Sequence, residues 1–176
     1  MDALGQTIAR VIRDVPDFPK PGILFKDITP LLADHTAFRA VIAALCDRAR
    51  AHGAEGLIAI ESRGFLFGAA MAYELALPLQ LVRKPGKLPY QKISMSYDLE
   101  YGKDTLEMHA DAIVKGQRVL IVDDLLATGG TMKACCDLVK QLGGTIVSVA
   151  VLIELVGLKG RAKIAPQPLH SVLQYE

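Results

Sequence analysis

Four short, mostly aliphatic runs constrain this chain more than any other feature: Gly56 to Ile60, Leu79 to Val82, Arg118 to Val122 and Thr145 to Leu152. Helix-like segments stand between them. A small-residue stretch from Phe65 to Leu75 follows the first run. After the third, Met132, Cys135, Cys136, Val139 and Leu142 fall on one helical face, which Gly143-Gly144 ends. Strand, crossover helix, strand is the order that builds a parallel sheet. The last run is apolar enough to predict a strand covered on both faces. The expectation is an α/β fold with a central, mostly parallel sheet flanked by helices.

Upstream, Leu4, Ile8, Val11, Ile12 and Val15 share a face at helical spacing, and the pattern predicts a helix that Pro16 stops. From Pro16 to Pro30 the prolines and Gly22 predict an extended segment with turns. A second helix should turn Phe38, Val41, Ile42 and Leu45 inward. Between the second and third apolar runs, roughly Lys84 to Lys115, polar and aromatic residues alternate through Ser94 to Tyr101, which predicts a hairpin or mobile excursion from the sheet. Excursions of this kind often close over a site.

A chain of 176 residues fits one domain, 1–176, that buries roughly 70% of its unfolded surface. Hydrophobic residues at 51% and charged residues at 22% exclude a disordered chain. A formal charge of +1 supplies no field for nucleic acid or an anionic membrane. No apolar run is long enough to span a bilayer, and Asp2, Arg10, Arg13 and Asp14 are out of place in a signal peptide, so a cytoplasmic protein is expected. Three cysteines, two of them adjacent, match no zinc or disulfide framework and should be buried thiols. His35, His52, His109 and His170 form no nucleophile or metal pattern.

The chemistry concentrates in Val119-Leu120-Ile121-Val122-Asp123-Asp124-Leu125-Leu126-Ala127-Thr128-Gly129-Gly130-Thr131. A hydrophobic strand ends in two carboxylates, and a loop of small and hydroxyl residues opens a helix. Carboxylates accept hydrogen bonds from a sugar diol. Glycine-rich backbone amides, threonine hydroxyls and the positive end of a helix hold a phosphate. Taken piecemeal, an Asp-Asp pair is as easily a solvated turn and Gly129-Gly130 a helix-leading loop; the whole ordered set is what points to a sugar phosphate. Neither the Gly-Lys-Ser/Thr ending of a P-loop nor the Gly-x-Gly-x-x-Gly of a dinucleotide fold is present.

This segment resembles the sugar-phosphate motif of the type I phosphoribosyltransferase family. Pro19 to Pro30, Glu61 to Gly68, Ser96 to Gly102 and the closing Leu173-Gln174-Tyr175-Glu176 resemble segments of its adenine-specific branch. The resemblance implies a small N-terminal hood over residues 1–34, which would recognise the base, and a flexible catalytic loop over 84–108. It also implies a homodimer and transfer of the phosphoribosyl group from phosphoribosyl pyrophosphate to adenine, giving AMP and pyrophosphate with Mg²⁺ held mainly by substrate oxygens.

Carried over by position, Asp123 and Asp124 would face the ribose hydroxyls, and Ala127, Thr128, Gly129, Gly130 and Thr131 the 5′-phosphate. Arg63 would meet the pyrophosphate, a task suited to the fixed fork of a guanidinium. Arg83, Lys84 and Lys87 would add charge near the leaving group, although such a cluster is commonly a solvated face. Phe25 would stack on the purine while backbone groups of Leu24 and Lys26 read its edge; by itself Phe25 is as readily a core aromatic. Glu100 would assist proton movement at the base. Two rivals remain: a family member using another base, and a non-catalytic sensor of the same sugar phosphate that binds nucleic acid.

Overall fold

The computed structural model describes residues 3–98 and 103–176. Its frame is a five-stranded sheet built from β3 (Gly56–Ile60), β4 (Leu79–Val82), β7 (Arg118–Leu126), β8 (Thr145–Leu155) and β9 (Leu169–Tyr175). The strands lie in the order β4-β3-β7-β8-β9, every neighbouring pair parallel. β3, fully buried, and β7 sit towards the middle, and β8 is buried from Ser148 to Glu154, in line with the strand covered on both faces that its apolar run predicts.

Two hydrophobic layers cover the sheet. On one side, α1 (Ala3–Ala9), α3 (His35–Ala51) and α4 (Gly64–Leu75) contribute Ile8, Val41, Leu45, Phe67 and Met71. The other side is covered by α5 (Gly130–Gln141) and the antiparallel hairpin of β5 (Lys92–Asp98) and β6 (Lys103–His109), through Met132, Cys135, Val139, Leu106 and Met108. Asp34 starts α3 by accepting the amide N–H groups of Thr36 and Ala37, each at 3.0 Å, a cap that contributes about 1 kcal/mol. The excursion between β4 and β7 hangs from the sheet edge, where Arg83 and Glu107 exchange backbone hydrogen bonds of 2.9 and 2.8 Å.

Four elements differ from expectation. The first helix ends at Ala9, and Val15 lies in β1 (Arg13–Pro16), paired antiparallel with β2 (Leu24–Asp27) in register with Phe25. Strand pairing outweighs the local helical pattern there, while Ile8 and Ile12 still reach the core. β7 does not stop at Val122: β8 continues alongside it to Leu155, so the ladder carries on through Asp123, Leu125 and Leu126. β8 outruns its expected end at Leu152 for the same reason. β9, whose Leu173 enters the core, was not anticipated as a strand. A short α2 (Thr29–Ala33) follows β2, and α6 (Gly160–Ile164) links β8 to β9.

Candidate active site

β7 places the acidic pair. Leu120 and Val122 enter one core layer and Val119 and Ile121 the other; beyond the pair the alternation slips by one, Leu125 packing with the first layer and Leu126 with the second. That change of phase lets two consecutive carboxylates line one cavity. The cavity, about 420 Å³, lies at the carboxyl ends of β3 and β7 and is lined by Glu61, Ser62, Arg63, Lys84 and residues 123–132. Ligands of open α/β sheets bind at such strand ends.

Asp123 and Asp124 are 8% and 6% exposed. Burial, then the neighbouring Asp124 charge, pushes the Asp123 carboxyl well above the ordinary carboxylate range. Burial also raises Asp124, with Arg63 pulling the other way; the Arg63 Nε lies 2.8 Å from Asp124 Oδ2. The Asp123 Oδ1 accepts the Asp124 amide N–H at 2.8 Å. Two desolvated carboxylates with one guanidinium between them and solvent form a site that gains from a ligand bringing hydroxyl donors or a cation.

Two helices begin at this cavity, α4 at Gly64 and α5 at Gly130, and neither has a side chain capping its N-terminus among the described residues. In α4 the Phe65 and Leu66 amides already donate to the Ser62 and Arg63 carbonyls, at 3.3 and 3.1 Å, so what both helices offer an anionic group is above all the positive end of the dipole. Gly129, with φ +79°, makes the turn into α5. A Cβ there would stand 2.6 Å from the Gly160 carbonyl oxygen, and one on Gly160 would overlap the Ala127 carbonyl oxygen. Glycines from two distant segments thus seat the 127–131 loop against the start of α6.

Lys84 reaches the cavity from the sheet edge. Its backbone N–H donates to Glu61 Oε2 at 2.9 Å, and the same oxygen accepts from Arg83 Nε at 3.1 Å. Burial opposes ionisation of Glu61, but the Lys84 amide and then Arg83 outweigh it and hold its carboxyl low. The Lys84 ammonium pairs with Asp104 on β6. Tyr97 on β5 donates to Asp104 Oδ2 at 3.1 Å and meets the Thr131 hydroxyl at 3.0 Å, so the hairpin is bonded to the 127–131 loop. Glu107 fastens the turn before the hairpin, accepting the Gly86 amide N–H at 3.1 Å and pairing with Lys92 at 2.9 Å.

Arg63, Lys84, Asp123, Asp124, Ala127, Thr128, Gly129, Gly130 and Thr131 all line the one cavity. Arg83 is turned to Glu61, its guanidinium 5.7 Å from the Phe65 ring, and Lys87 is exposed with its carbonyl facing Arg83. Phe25 is half-buried, 5.3 Å from the Arg63 guanidinium and edge-on to Phe18 at 5.1 Å. Leu24 is half exposed, and the Lys26 side chain is buried against Asp14 and Tyr175. Glu100 lies outside the described residues. Sequence reasoning assigned no role to Glu61, Tyr97, Asp104 or Gly160. Glu61 lies two residues before Arg63, whereas Gly160 carries no local signal, since its importance lies in contact with Ala127 and Gly129, 33 and 31 residues away in sequence.

A family model described as phosphoribosyl transferase domain matches residues 31–167. An adenine phosphoribosyltransferase of Solidesulfovibrio magneticus is 52% identical over 167 residues, covering 95% of this chain and 98% of the relative. The crystal structure of adenine phosphoribosyltransferase from Thermoanaerobacter pseudethanolicus superimposes with a TM-score of 0.94 at 49% identity, covering 97% and 99% of the two chains. The Saccharomyces cerevisiae enzyme, solved with an imino-altritol bisphosphate and adenine, gives a TM-score of 0.93 at 36% identity over 98% of this chain and 100% of that one.

Proposed function

This chain belongs to the adenine phosphoribosyltransferase family, and from that membership we propose that it transfers the phosphoribosyl group of phosphoribosyl pyrophosphate to adenine, forming AMP and releasing pyrophosphate. The observation that carries the reading in this chain is the position of Arg63, bonded to Asp124 on one side and 5.3 Å from the Phe25 ring on the other. A sugar site and an aromatic surface for a flat base thereby share one arginine.

Asp123 and Asp124 accept the ribose hydroxyls, and their desolvation is relieved when those donors arrive. The amides and hydroxyls of residues 127–131, with the α5 N-terminus, hold the 5′-phosphate. Arg63 and Lys84 exchange their carboxylate partners for pyrophosphate oxygens, and Arg83 and Lys87 add charge beside them. Phe25 stacks on adenine. Leu24 and Lys26, two apart on β2, present backbone groups to the same edge, so together they read the purine without a dedicated side chain. Residues 1–34 act as the base-recognition hood and 84–108 as the catalytic loop, whose Glu100 moves the proton at the base.

Among the described residues no set of three or more His, Cys, Asp and Glu is arranged to hold a metal. The all-oxygen chemistry of the acidic pair still fits Mg²⁺ carried in largely by substrate oxygens and waters, with Asp123 and Asp124 nearby. When bound, Mg²⁺ supplies positive charge to the leaving pyrophosphate. As positive charge builds on the ribose ring, the acidic pair stabilises it, and a closed 84–108 segment keeps out water.

The protein works as a cytoplasmic homodimer in this reading. The location is supported by the absence, among the described residues, of any helix long and apolar enough to cross a membrane. The dimer is supported by the exposed Leu66 and Tyr73 of α4 and Leu81 of β4.

The test is formation of nucleotide and pyrophosphate from phosphoribosyl pyrophosphate and each purine, with and without EDTA. Adenine-specific turnover abolished by EDTA is expected. Preference for another base would overturn the role of Phe25 and β2, and tight sugar-phosphate binding without any turnover would point instead to a sensor.

A further inference from the structure

The last strand of the sheet ends on a tyrosine that the mechanism above does not use. β9 terminates at Tyr175, paired in register with Leu155, and its half-buried ring lies under the Lys26 ammonium, 3.9 Å from Nζ to the ring centroid. Lys26 is only 9% exposed. Its Nζ also pairs with Asp14 Oδ1 at 2.6 Å, across the β1–β2 ladder in which Asp14 and Lys26 are direct partners. A buried ammonium is costly unless paired, so this one is held by a carboxylate on one side and an aromatic face on the other.

Successive residues of a strand face opposite ways. Anchoring Lys26 inward to the end of the central sheet therefore sets the direction in which Phe25, its neighbour on β2, looks out towards Arg63. β1 and β2 form a two-stranded sheet of their own, and a lone hairpin is only marginally stable. Its tilt over the cavity must come from outside the hairpin.

We propose that Tyr175 is a positioning residue for base recognition: through Lys26 it joins the end of the central sheet to β2 and fixes the strand that reads adenine. The inference rests on the assignment of Phe25, Leu24 and Lys26 to the base. Its consequence is selective, because the 127–131 loop and the acidic pair are carried by β7 and α5 and have no part in this contact.

Steady-state kinetics of the full chain test it. Tyr175→Ala should raise KM for adenine by roughly fivefold to tenfold, up to about 1.4 kcal/mol of lost base binding. KM for phosphoribosyl pyrophosphate should stay within about twofold. Tyr175→Phe, which keeps the ring, should restore the adenine KM. Asp14→Asn, which loosens Lys26 from the other side, should give the same split and decides the matter if Tyr175→Ala does not fold. An unchanged adenine KM, an equal loss for both substrates, or a failure of Phe to restore binding would overturn the role of Tyr175 alone. Absence of adenine turnover in the unaltered chain would overturn the assignment of the base site and this inference with it.

Discussion

Asp123 shows how far a single residue can be set against the stability of its own fold. Its carboxyl is buried in the cavity wall, and its proton affinity is raised first by burial and then by Asp124. Between the ordinary carboxylate range and that raised value the folded state binds the extra proton, so stability falls as pH rises through this window and the full penalty stands above it. Asp123→Asn removes the charge while leaving an oxygen to accept the Asp124 amide. At neutral pH the variant should melt about 3 °C higher, the shift that relief of about 1 kcal/mol produces in a chain of this length. The gain should vanish below the ordinary carboxylate range, where both proteins are uncharged at this position. Calorimetric titration of the same variant should show weakened sugar-phosphate binding, and a variant that is less stable at pH 7 would contradict the account. The acidic pair and the glycine-rich loop were legible in sequence because adjacent residues carry the whole pattern. Glu61 and Asp104 were not, since a carboxylate's task depends on which cation the fold brings to it.

At the scale of elements, the site depends on how closely the 127–131 loop approaches α6. Gly129 and Gly160 meet with no room for a Cβ on either. Gly160→Ala would force its methyl into the Ala127 carbonyl, and overpacking of this kind costs about 1–3 kcal/mol. The strain falls on the loop, so binding of phosphoribosyl pyrophosphate measured by calorimetry should weaken about tenfold or more. Far-ultraviolet circular dichroism should stay near that of the unaltered chain. Undiminished affinity would show that the loop seats itself without this contact. The hairpin is tied to the same loop through Tyr97 and Thr131 and anchored below by Leu106 and Met108. Alternation in the sequence was enough to predict a hairpin but could not say that it packs on α5.

For the whole molecule, the two sheet layers leave an apolar surface exposed on α4 and β4. Tyr73 is 91% exposed, and Leu66, seven residues earlier, lies on the same face of α4, which packs beside β4 with its exposed Leu81. In the proposed homodimer a second copy of the chain would cover this face. Sedimentation should give a species of twice the 19.0 kDa chain mass, and Tyr73→Asp should shift it towards monomer. A monomer at micromolar concentration would leave the patch unexplained and remove the dimer from the proposed function.

The sequence by itself determined the parallel strands β3, β4, β7 and β8, the α3 and α5 helices and the order of acidic pair, loop and helix, because each is written in contiguous residues whose burial follows from their own periodicity. The tertiary structure alone decided where α1 stops, how far β7 and β8 run together, and that β9 completes the sheet. Those outcomes depend on pairing energy between segments remote in the chain. The same holds for the contacts that join Arg63 to Phe25, Gly129 to Gly160 and Lys26 to Tyr175: side chains or backbones far apart in sequence become neighbours only once the sheet has been assembled, and no local pattern records that they will meet.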